Sequence, residues 1–212
     1  MTGTDRSNLA TCAGLGMLSG GVAWVLVKLL GNGSYTSILK GGAVLEVNAF
    51  TVLPGLIFGL IIGFLWHRRG MISQLGVLGY ALAAGVAFFL SFHIALNIFD
   101  RLSGLSGPMR EDAALVVSGI IAGLIGCCFL GVVTAYLLRV PYRSALGLPV
   151  VVGGAAGALL PSINLFSKWD GGLLVFLVLW QGAYATGLVH LLRPSPVALT
   201  GAASMGAGKS RT

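Results

Sequence analysis

Residues Thr51 to Arg69 read TVLPGLIFGLIIGFLWHRR. The stretch has no charge before Arg68, so it is apolar over a length that suits a bilayer-crossing helix, for which about 20 such positions are needed. Gly55, Gly59 and Gly63 recur every fourth residue and fall on one stripe of that helix, where the lack of side chains lets another backbone come close. Pro54 stands in the first turn, where its missing N–H costs little. Trp66, Arg68 and Arg69 form an aromatic and basic anchor at the exit from the hydrocarbon.

The remainder of the chain repeats this design. Of 212 residues, 56% are hydrophobic and 9% charged, against roughly a quarter charged in soluble domains. Most of the 33 glycines lie inside apolar runs, where they weaken a soluble helix but allow close contact between membrane helices. The net charge of +7 does not point to nucleic acid, because the basic residues flank apolar segments singly or in pairs. Cys12, Cys127 and Cys128 sit in apolar segments without metal or redox spacing and are read as small buried packing residues.

Six stretches lack Asp, Glu, Lys and Arg for 21 residues or more: 7–27, 47–67, 70–99, 113–138, 144–167 and 171–192. They predict an all-α polytopic integral membrane protein, a closely packed glycine-lined bundle of six transmembrane helices at about 9–30, 49–67, 71–97, 113–138, 145–163 and 172–192. Residues 1–192 form one transmembrane domain, and 193–212 form a disordered cytoplasmic tail. The loop around Gly104, Gly107 and Pro108 divides the spans into two groups of three, an arrangement that suits inverted repeats. With six spans both termini share a side. That side collects eight Lys and Arg residues and the other five, so the termini are expected in the cytoplasm, here of a bacterial cytoplasmic membrane.

Further packing stripes are Gly16 and Gly20 in the first span, Gly79, Ala83, Ala87 and Ser91 in the third, and Gly119, Gly123, Cys127 and Gly131 in the fourth. The fifth span carries Gly153, Gly154 and Gly157 between Pro149 and Pro161 and is the least regular, a candidate for a broken helix. Polar groups within spans are few. His93 and Asn97, one turn apart, are read first as a hydrogen-bonded pair pinning helices and second as a solute contact. Gln181 and Tyr184 lie in the sixth span, Gln181 as interhelical glue or ligand contact. Together with Gly154 these four are the candidate substrate-binding residues, around a cavity bounded by the second, third, fifth and sixth spans.

Other chemistries are excluded by what is missing. No Asp or Glu lies inside a span; His93 lies at the opposite end from His67 and His190, and His67, which could meet His190, stands beside Arg68 and Arg69, so no proton relay, carboxylate cage, haem or metal site is expected. Ala203 to Ser210 fits a loose phosphate-loop pattern, but no strand precedes it and only two residues follow, so neither nucleotide nor other cofactor is expected. The chain reads as a non-enzyme. Two functions stay open: a permease or transporter subunit for a small neutral or weakly polar solute, and a non-catalytic assembly subunit of a larger membrane complex. Its partners are the lipid bilayer and, in either case, other membrane subunits or a homo-oligomer.

Overall fold

A computed structural model describes residues 3–30, 35–38, 44–104, 111–161 and 171–192. The tail from 193 onward and the loop around Pro108 lie outside the described residues. Helix α1 spans Gly3–Leu30, α2 Ala49–Arg68, α3 Gln74–Ser103 and α4 Glu111–Leu138. All four are long and apolar enough to cross a membrane. Two short helices, α5 (Tyr142–Leu146) and α6 (Leu148–Gly157), follow; α7 covers Gly172–Gly187 and ends in a 3₁₀ turn at Val189–Leu192.

The fold is helical as expected, with one short hairpin in addition. Strands β1 (Tyr35–Ile38) and β2 (Val44–Val47) pair antiparallel, with Tyr35 opposite Val47 and Ile38 opposite Val44. Their β-branched and aromatic residues favour extended backbone, and the segment lacks the long apolar run that would make it a span. Asn48 then starts α2 with a reciprocal cap: its side chain accepts from Thr51 N (2.8 Å) while its own N–H donates to Thr51 Oγ1 (3.1 Å). The other end of α2 closes on Gly70, whose φ of 70° is left-handed, with Gly70 N–H donating to His67 O and Met71 N–H to Trp66 O.

The fifth expected span, 145–163, is not one helix. It is interrupted at Gly147, which ends α5 and begins α6, and the second residue of α6 is Pro149, which has no N–H to carry a helical bond backward. At 1.5 Å per residue, the ten residues of α6 reach about half of the ~30 Å hydrocarbon layer.

The helices close into a ring in chain order: α1 packs on α2, α2 on α3, α3 on α4, α4 on α5 and α6, α6 on α7, and α7 back on α1. Neighbours run antiparallel, as the close approaches show. A Cβ placed on Gly59 would stand 2.5 Å from Ala81 Cα, and one on Gly63 would stand 3.3 Å from Val77, while Gly55 faces Ala84 and Phe88. Gly16 meets Gln181 and Ala185, and Gly20 meets Leu177. Gly119 faces Gly157, Gly123 faces Gly153 and Gly154, and Gly131 faces Ala145. The expected α3 stripe holds in its second half, where Ala87 and Ser91 are buried against Gly126 of α4, but Gly79 has open space beside it and Val77, Tyr80, Ala81 and Ala84 turn inward instead. Cys128, expected to be buried, is exposed; Cys12 and Cys127 are buried.

This ring also overturns the idea of inverted triplets. A two-fold axis lying in the membrane plane reverses the sense of circulation when the bundle is viewed from above. Here α1–α2–α3 and α4–α6–α7 circulate the same way while their first members point in opposite directions, a relation that no rotation produces.

Candidate functional site

At the end of the ring that carries the hairpin, the start of α2, the last turns of α3, the first turns of α4, the end of α6 and the start of α7 surround an apolar chamber of about 60 Å³. Its walls include Phe50, Phe88, Phe92, Gly123, Phe176 and Trp180. The rings hold one another: Phe50 meets Phe92 edge to face with centroids 4.9 Å apart, Phe88 meets Trp180 at 5.8 Å, and Phe176 lies parallel to Trp180 at 6.3 Å. The only hydroxyl among the described wall residues, that of Ser91, donates to Ala87 O (2.8 Å) within its own helix. Gly119, Gly123 and Gly157 also line the chamber. The absence of side chains there brings α4 against the end of α6, and the chamber remains opposite, beneath the rings.

None of the five residues expected to bind a solute lines this chamber, although the residues beside several of them do. His93 lies tilted against Phe89 (4.3 Å) and meets Phe92 edge-on (5.4 Å), with Nδ1 2.8 Å from Phe89 O. Asn97 Nδ2 donates to His93 O at 2.7 Å. These bonds follow the helix itself, the ordinary way a short polar side chain is satisfied in lipid. Gly154 packs against Leu124, and a Cβ there would collide with that side chain. Tyr184 is buried against Phe58 (5.8 Å); among the described residues its hydroxyl and that of Tyr80 make no hydrogen bond, although Thr134 lies near both. The 3₁₀ turn includes His190, whose side chain lies outside what is described.

Gln181 is fully buried and joins three helices. Its Nε2 donates to Pro54 O of α2 at 2.9 Å, and its Oε1 accepts from Ser19 of α1. Ser19 Oγ also lies 2.7 Å from Gly16 O, but a hydroxyl has one proton. With Nε2 committed to Pro54, Oε1 requires a donor, so the Ser19 proton belongs to Gln181. Trp180 therefore faces the chamber while its neighbour Gln181, about 100° round the helix, fastens α7 to α1 and α2.

The aromatic walls were only partly legible. Spacing along the third span does not say what Phe88 and Phe92 face. The pairing that builds the chamber, bulky rings on α3 opposite Gly119 and Gly123 on α4, needs the two helices aligned in depth. Among the described residues no group of His, Cys, Asp or Glu could hold a metal ion. No protein family, curated protein or solved structure matches the chain.

Proposed function

We propose that this protein is a permease-type membrane subunit whose chamber admits a small, neutral and largely apolar solute. The chamber of five aromatic residues supports the reading: among the described residues it lies where the expected second, third, fifth and sixth spans meet the fourth. Its apolar lining narrows the solute from the weakly polar class. At about 60 Å³ it is smaller than the roughly 150 Å³ apolar cavity that takes a benzene molecule and stays dry. A guest of a few heavy atoms suits it. In this reading six segments cross the membrane, namely α1 to α4, the α5–α6 pair and α7 with its 3₁₀ turn. Alternating directions around the closed ring and the six charge-free stretches support that count. Both termini lie with the Arg68 end of the bundle, on the cytoplasmic side of a bacterial inner membrane.

The test uses purified protein in detergent, titrated with xenon and short-chain alcohols while tryptophan emission and the melting temperature are followed. Saturable quenching by at least one of them in the parent, abolished by Ala95→Trp at the chamber wall, supports the proposal. No saturable response in the parent counts against it.

A second reading, a non-catalytic assembly subunit, has one observation in its favour. Gly79 is open to the surface and Ala83, one turn on, is only partly covered, leaving a small-residue stretch of α3 without a close neighbour among the described residues. Gly79→Leu separates the readings. An assembly subunit loses its partners or its oligomeric state on mild extraction; a self-contained permease keeps its size.

A further inference from the structure

The α1–α2 junction is the loosest seam between long helices. α1 lies mainly on α7, and between α1 and α2 runs an open groove of about 590 Å³ lined by Leu15, Leu18, Leu60, Phe64 and Leu65, with Arg68 at its end. From Leu60 to Arg68 the groove follows eight helical steps, about 12 Å, close to the depth of one leaflet of a ~30 Å hydrocarbon layer. Just beyond its basic end, Arg69 donates to Asn8 Oδ1 at 3.0 Å and ties the start of α1 to the end of α2. That bond fixes the spacing of the two helices while leaving the guanidinium of Arg68 exposed at the mouth.

We propose that this groove is a specific site for an anionic phospholipid, with an acyl chain along Leu18, Leu60 and Phe64 and the phosphate on Arg68. The surroundings name the occupant. A groove open sideways at hydrocarbon depth meets acyl chains before anything else, and the one charged group among its walls is a cation at headgroup height, where guanidinium pairs with phosphate through two parallel bonds. The only acidic residue that the sequence puts at this end is Asp5, against Arg68, Arg69, Arg139 and Arg143. The site is independent of the chamber, which lies at the opposite end of the bundle.

The experiment measures lipid retention by native mass spectrometry and melting temperature in detergent, with added dioleoyl phosphatidylglycerol, dioleoyl phosphatidylcholine or glycerol phosphate. The parent is expected to retain one phosphatidylglycerol in preference to phosphatidylcholine and to ignore glycerol phosphate. Arg68→Gln should lower that preference about fivefold, the effect expected of one basic residue at an anionic surface. Leu60→Trp, which fills the groove at an exposed position, should reduce retention of both lipids. Arg143→Gln makes the same charge change at the same end, away from the groove, and should leave the preference intact. Equal retention of the two lipids by the parent overturns the proposal, as does an equal loss in Arg68→Gln and Arg143→Gln, which would mark diffuse attraction to a basic rim. Stabilisation by glycerol phosphate alone would mark a phosphate site without the acyl chain and overturns it too.

Discussion

Replacing Gln181 tests how the bundle is held together. Gln181→Leu keeps nearly the same volume at a fully buried position, so it opens no cavity and its cost is confined to hydrogen bonds. Two interhelical bonds are lost, to Ser19 Oγ and to Pro54 O. Such bonds in membranes average about 0.6 kcal/mol and reach about 1.7. Ser19 is not orphaned, since its proton can turn to Gly16 O only 2.7 Å away, and Pro54 O can still accept within its own helix. The expected loss is therefore about 1–3 kcal/mol. This reverses the behaviour expected of a solute-binding glutamine, whose removal would leave stability almost unchanged. The assay is reversible unfolding in mixed micelles, run as a double-mutant cycle with Ser19→Ala, where a coupling of about 0.5–1.7 kcal/mol is expected. A coupling under about 0.2 kcal/mol, or unchanged stability in Gln181→Leu, would refute the claim that this side chain fastens α7 to α1 and α2.

Three further outcomes follow from the packing. Gly59→Leu should prevent extraction of folded protein or lower its stability by several kcal/mol, because even a Cβ there would stand 2.5 Å from Ala81 Cα, whereas Gly79→Ala, in open space, should keep or raise the melting temperature through its helix propensity, worth about 1 kcal/mol. Tyr184→Phe and Tyr80→Phe remove buried hydroxyls that have no hydrogen-bond partner among the described residues, so each should leave stability unchanged or raise it by about 1 kcal/mol; a loss of that size in thermal melts would reveal a bond to a neighbour such as Thr134. In a cysteine-free background, Ser7→Cys and Ser144→Cys should react alike with an impermeant thiol reagent and opposite to Ser37→Cys, shielded in intact cells where Ser37→Cys is labelled; labelling of Ser7→Cys and Ser144→Cys alone would invert the orientation.

The sequence by itself determined the solvent. Long stretches without charge cannot be hydrated and need no tertiary information to be read as membrane helices, and α1 to α4 lie where those stretches fall. It also marked the break before α6, since Pro149 has no N–H with which to continue the helix that ends at Gly147, while the first turn of a new helix tolerates it. Orientation about each helix axis was harder to read. Gly55, Gly59 and Gly63 face a neighbour, yet Gly79 at a comparable spacing does not, because in lipid an apolar outer face and an apolar inner face look alike and only the partner helix decides which is covered. The hairpin escaped for a related reason: four-residue strands, one pairing Tyr35 with Val47 of the other, gain their stability from pairing across a loop and carry almost no local signal. The chamber and the Gln181 junction depend on alignment between helices far apart in the chain, Phe88 beside Trp180 and Pro54 beside Gln181. Spacing along one helix sets which residues share a face, but ring closure sets which faces meet and at what depth, so those sites exist only in the assembled bundle.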